Sequence, residues 1–197
     1  INLWRNNLTV LSKEIFEFNK KIEKVWLSEN QLEKIEVGSF DDLTSLKELN
    51  LYNNQISSLP ETVFEHLSEL KVIYLANNQL ESLPAQLFKN NRKLVKIDLS
   101  YNQIEEIPSN FFAGLTEGEY LKLHYNKFSH LPTNLLKDLT KLREISLWGS
   151  NLKVLSKEIF QFNKKLVKIY LYENQLEKID AELFDGMENL RHVDLEE

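Results

Sequence analysis

The chain repeats itself every 24 residues without a slip of frame, and this period restricts its fold more than any other feature. Apolar residues recur at Ile22, Leu46, Leu70, Leu94, Leu142, Leu166 and Leu190, and Gly118 fills the one slot that departs. With Ile22 taken as phase 1, seven full repeats run from 22 to 189. A partial repeat at 1–21 precedes them and a partial repeat at 190–197 follows, so the expectation is one repeat domain over 1–197. A unit this short cannot bury its own apolar face. Stacked copies can, and a constant period therefore predicts a solenoid in which each unit completes its neighbour's core.

Within the unit, phases 4 and 6 are apolar throughout, as in Val25/Leu27, Leu49/Leu51 and Ile73/Leu75, an alternation that predicts one short strand per repeat. Phase 9 is asparagine in seven of eight repeats, with Ser150 as the exception. An amide there can satisfy backbone groups that the chain would otherwise orphan as it leaves the strand. Phases 11 and 14 are apolar in every repeat and belong to the core. All four prolines (Pro60, Pro84, Pro108 and Pro132) sit at phase 15, where a fixed φ shapes a turn without removing a ladder hydrogen bond. Phase 19 is phenylalanine everywhere except Leu136, which predicts a stacked column on the convex side.

This pattern, L-x-x-L-x-L-x-x-N-x-L followed by P-x-x-x-F-x-x-L at a period of 24, resembles the typical leucine-rich repeat, and it covers essentially the whole chain. The subtype is similar to the extracellular repeats of Toll-like receptors, small leucine-rich proteoglycans, lamprey variable lymphocyte receptors and insect secreted leucine-rich repeat proteins. The resemblance implies an α/β-type horseshoe solenoid, with a parallel sheet on the concave face and irregular or 3₁₀ structure on the convex side. It also implies an extracellular location, secreted or at the cell surface, and a role in host defence or adhesion. Extracellular members carry cysteine-bearing caps. This chain has no cysteine and enters and leaves in mid-repeat, so the expectation is a repeat stretch whose terminal caps are missing.

Composition removes several functions. Net charge is −6 with both signs interspersed, which lacks the basic stripe a nucleic acid requires. Apolar runs are only a few residues long, too short for direct membrane insertion. The histidines His66, His124, His130 and His192 fall at scattered phases and predict no metal site, and the five glycines form no phosphate-binding loop, so no cofactor is expected. Asp98, His124 and Ser146 lie on consecutive strands at catalytic-triad spacing, yet no oxyanion loop, lid or nucleophile elbow accompanies them. The chain is expected not to be an enzyme.

The recognition signal lies at phases 3, 5, 7 and 8, whose side chains should leave the concave face because phases 4 and 6 point inward. These phases hold less than a fifth of the chain but all three tryptophans and all seven tyrosines, and none of the eleven phenylalanines. Sorting by a polar tip is what a binding surface selects, since Trp and Tyr bring large area at low entropic cost. Trp4, Trp26, Tyr52 and Tyr74 are expected to form one stripe with rings close enough to touch. Tyr101, Tyr120, His124, Tyr125, Trp148, Tyr170 and Tyr172 are expected to form a second cluster. The expected ligand is a protein. Alternatives are self-association into a homodimer, stacking against sugar rings, and simple bracing of the sheet by residues of high β-propensity.

Three further expectations follow. Asn7-Leu8-Thr9 is the one glycosylation sequon. Residues 11–35 recur at 155–179 with 19 of 25 positions identical, a block duplication that copies the exposed-looking Phe18 as Phe162. Gly118 and the run Trp148-Gly149-Ser150 depart from the template and predict a loosened seam around the fifth and sixth repeats.

Overall fold

The structure, a computed structural model, describes residues 1–196; Glu197 lies outside them. Ten short strands follow one another: β1 (Val10–Leu11), β2 (Lys24–Trp26), β3 (Lys34–Ile35), β4 (Glu48–Asn50), β5 (Val72–Tyr74), β6 (Lys96–Asp98), β7 (Tyr120–Lys122), β8 (Glu144–Ser146), β9 (Lys168–Tyr170) and β10 (His192–Asp194). Eight of them form one parallel sheet in the order β2-β4-β5-β6-β7-β8-β9-β10, and β1 and β3 pair separately. The register is the sequence period itself: Lys24 pairs with Glu48, Glu48 with Val72 and Val72 with Lys96, each one repeat apart. Regular strand occupies phases 3 to 5, and the phase 4 residues Val25, Leu49, Ile73 and Ile97 are buried.

Opposite the sheet the chain returns through successive turns, and no helix occurs among the described residues. The convex side is therefore irregular, without a 3₁₀ helix. In every full repeat the phase 15 carbonyl opens this run. Val63 N donates to Pro60 O at 3.1 Å, and Leu183 N donates to Asp180 O at 3.0 Å in a repeat without proline. Between the two walls the phenylalanine rings stack, with Phe16–Phe40, Phe40–Phe64 and Phe64–Phe88 centroids 6.0 to 6.1 Å apart. The column then turns edge-on through Phe111 to Phe112 before Leu136 interrupts it. Burying a side chain of this class contributes about 1.5–3 kcal/mol, and eight phenylalanines lie buried in the core.

The asparagine ladder takes up the backbone groups between repeats. Asn54 Nδ2 donates to Leu27 O and Leu51 O at 3.0 and 3.1 Å, while its Oδ1 accepts from Leu32 N at 3.0 Å. Asn30, Asn78, Asn102, Asn126 and Asn174 repeat this geometry. A second, sparser set was not legible in the sequence. The wholly buried Asn91 and Asn163 donate to the convex carbonyls of Phe64 and Leu67, and of Leu136 and Leu139.

The loosened seam expected near Gly118 is not what the packing shows. A Cβ at Gly118 would meet Leu139 Cδ2 at 2.6 Å, so the buried Leu139 side chain fills the space that the missing phase 1 leucine leaves. β7 and β8 pair in unbroken register beside it. Ser150 is a local defect: its Oγ is buried without a hydrogen-bond partner because the side chain is too short to act as the asparagine does, and in the same repeat Asn163 Oδ1 is likewise buried and unpartnered. Among the described residues, no helix is long and apolar enough to cross a membrane.

Candidate functional site

The sheet presents phases 3, 5 and 7 to the concave face, and phase 8 forms its rim. At phase 8 the backbone turns left-handed in every repeat, from Arg5 (φ 53°) through Asn77 (φ 56°) and Tyr125 (φ 51°) to Glu173 (φ 52°). This conformation costs a non-glycine residue energy, but it ends the strand and stands the side chain along the solenoid axis. Rim residues of adjacent repeats consequently meet in pairs. Arg5 Nε lies 2.6 Å from Glu29 Oε2, Asn77 Nδ2 donates to Asn53 Oδ1 at 2.6 Å, and the Tyr101 and Tyr125 rings stack at 4.6 Å.

The fourth pair breaks the series. Gly149 stands where the duplicated block carries Arg5, so Glu173 has no arginine beside it. The Tyr125 ring lies over the vacated place, within 3.0 Å of where a Gly149 Cβ would stand, and its hydroxyl donates to Glu173 Oε2 at 3.1 Å. That bond and the neighbouring carboxylate hold the phenol above its ordinary pKa. The glycine required here is dictated by the ring, since seven other repeats adopt the same φ with a side chain.

Five of the expected site residues form one connected cluster. His124 stacks on Trp148 at 4.7 Å and 9°, Trp148 stacks on Tyr172 at 4.6 Å, and Tyr125 meets Trp148 edge-on at 4.5 Å. Tyr101 closes the group against His124 and Tyr125. Burial pushes the His124 imidazole down to about 4, against the opposing pull of the Asp98 carboxylate and aided by Lys122. Its Nδ1 lies 3.0 Å from Ser146 Oγ. Burial, with the Glu173 carboxylate second, raises the Tyr172 phenol.

The remaining expected residues stand apart from this cluster. Tyr170 leaves it to pack at 5.2 Å against His192, a partner the sequence did not single out. Tyr120 is exposed at phase 3, without a ring neighbour. Trp4, Trp26, Tyr52 and Tyr74 do lie in successive repeats, Trp26 and Tyr74 on strands β2 and β5, but their rings do not touch, contrary to expectation. Three of them have a polar neighbour instead: Arg5 sits 4.4 Å over the Trp4 ring, Trp26 Nε1 donates to Glu48 Oε1 at 3.2 Å, and Lys96 sits 4.9 Å over Tyr74. Tyr52 is flanked by the small Ala76. Asn7 is exposed, and its Oδ1 accepts from Gln31 Nε2 at 3.2 Å.

The triad geometry fails at its first link. Asp98 Oδ1 accepts from Ser100 N and Oγ at 3.1 and 2.5 Å, so the acid orients a serine hydroxyl and not the imidazole. Ser146 is 4% exposed. Among the described residues no group of three or more histidines and carboxylates converges as a metal site would require.

Comparison with known proteins agrees with the architecture. The family described as Leucine rich repeat matches residues 1–56, 44–104, 92–147 and 140–197. No curated protein sequence matches. Among solved structures, internalin C2 of Listeria monocytogenes is similar at a TM-score of 0.81 and 21% identity, covering 98% of this chain and 79% of that one. The leucine-rich repeat domain of APL1B gives 0.78 at 22% identity, covering 99% and 63%. Toll in the Drosophila Toll–Spatzle complex gives 0.76 at 23% identity, covering 100% of this chain and 34% of that one. An internalin, inlF of the same Listeria, is covered over 47% of its length, so the chain spans about half of that protein. At these identities the likeness establishes the fold.

Proposed function

The chain belongs to the leucine-rich repeat family, whose domains are typical protein-interaction modules, and we propose that it is a non-catalytic recognition module that grips a protein partner in its concave face. The observation that carries this is the contiguous cluster of Tyr101, His124, Tyr125, Trp148 and Tyr172 on the open side of the sheet, while the phenylalanines of the core column turn inward. Preorganised rings with polar tips lose little entropy on contact, and mixed charges surround them as a polar rim surrounds an interface core. The working place we assign is extracellular, in defence or adhesion. The resemblance to Toll, whose structure is described as part of a hub in development and innate immunity, supports that assignment.

The test compares capture of partners from extracellular fluid by the parent, by Trp26→Ser/Tyr74→Ser/Tyr125→Ser/Trp148→Ser, and by the convex variant Phe18→Ser/Phe162→Ser. A partner held by the parent and the convex variant but lost from the concave variant is the expected result. Each true hot spot should contribute about 2 kcal/mol or more. Equal capture by all three overturns the reading. A mass that doubles with concentration in the parent alone would identify a second copy as the occupant.

A further inference from the structure

We infer that the hollow between Tyr52 and Tyr101 on the concave face seats a guanidinium group presented by the protein partner, with the Asp98 carboxylate beneath it. This rests on the concave face being the recognition surface, and it adds the chemistry of one contact.

Shape is the first argument. Along phase 7 the repeats carry Trp4, Ser28, Tyr52, Ala76, Ser100, His124, Trp148 and Tyr172, so between Tyr52 and His124 two adjacent small side chains interrupt the row of rings. A hollow of about 310 Å³ opens there. Its floor is Ala76, Asp98 and Ser100, all buried, and Tyr52 and Tyr101 stand exposed at its sides. This volume lies at the small end of ligand pockets and suits a single side chain.

Charge is the second. Asp98 is only 8% exposed, and both of its protein hydrogen bonds, from Ser100, fall on Oδ1. No hydrogen bond or ion pair to Oδ2 occurs among the described residues. Oδ2 is not a buried, unpartnered atom and so stays open to solvent, where a cationic donor is the strongest partner it can take. Lys122, its register partner on β7, lines the same hollow without pairing to it.

The rings are the third. This face already sets cations over aromatic rings, with Arg5 over Trp4 and Lys96 over Tyr74. A planar, weakly hydrated guanidinium fits between two tyrosine faces and still reaches a carboxylate, which a compact ammonium does less well. Lys122 opposes any cation, so an anionic probe is the necessary control.

The experiment is an NMR titration of the full chain with N-acetyl-arginine amide, N-acetyl-citrulline amide and N-acetyl-aspartate amide. Shifts are followed at the Ser100 and Tyr101 amides and the His124 ring. Two variants accompany the parent, each checked for an unchanged melting profile. Asp98→Asn keeps the Oδ1 acceptor for Ser100, and Ala76→Tyr fills the hollow with the residue that Tyr52 and Tyr172 already place at this phase. The expected result is saturable arginine binding roughly tenfold tighter than citrulline, lost in both variants. No arginine binding, equal citrulline binding, preference for aspartate, or binding that survives Ala76→Tyr overturns the inference. A captured partner that Asp98→Asn holds as tightly as the parent, and that the four-ring variant loses, leaves the concave-face reading standing while the guanidinium seat falls.

Discussion

Tyr125 reaches across Gly149 to hydrogen-bond Glu173, two repeats along the solenoid, at 3.1 Å. A ring that spans a whole repeat can do so only because the intervening residue has no side chain. The rim of the concave face is thus held by one long contact, where the duplicated block at the other end uses the short Arg5–Glu29 ion pair.

Gly149→Arg restores the residue of the sister block and should pair with Glu173 as Arg5 does with Glu29. The Tyr125 ring is then displaced, and the expected cost is about 1–3 kcal/mol from overpacking. Alkaline absorbance titration should show the phenol return toward its ordinary value. An unchanged phenol titration would mean that Glu173 does not hold the ring.

Ser150→Asn should stabilise the chain by about 1 kcal/mol or more. It supplies the missing rung of the ladder, removes a buried unpaired hydroxyl and offers an acceptor to the Phe128 amide. Denaturant midpoints give the stability. Hydrogen exchange at Phe128 N should slow in the variant, and in the parent it should be faster than at the laddered Ile104 N.

Gly118→Leu brings the repeat closer to its own template, yet it should destabilise by about 1–3 kcal/mol because Leu139 occupies the space. Adding Leu139→Ala should recover much of that loss. A double-mutant cycle in urea measures the coupling.

Stability should fall with acid in a window set by His124. Its folded pKa is about 4, below the ordinary 6.5, so burial favours the neutral ring. Above pH 6.5 neither state is protonated and the full stability is present. Between pH 6.5 and 4 the unfolded chain takes up the proton first, and stability drops by up to about 3 kcal/mol. His124→Phe should flatten this segment of a stability-against-pH curve, and an unaltered slope would assign it to other groups.

The 24-residue period by itself determined the solenoid, the strand register, the inward phases and the asparagine ladder. Each of these is a nearest-neighbour relation that recurs along the chain, with Ser150 the one break in the ladder, so a single frame encodes it. The sorting of Trp and Tyr from Phe likewise exposed the concave face as the surface to watch. Tertiary structure alone decided which rings meet. Trp26 and Tyr74 share phase 5 with Tyr170, yet each finds a different neighbour, because an exposed side chain's contact depends on its rotamer and on what flanks it, which no periodicity carries. The same holds for Leu139 filling the place beside Gly118 and for Tyr125 crossing Gly149. A missing side chain reads in sequence as a gap, and only three-dimensional packing shows that a neighbour occupies it, since dense interiors leave little space unfilled.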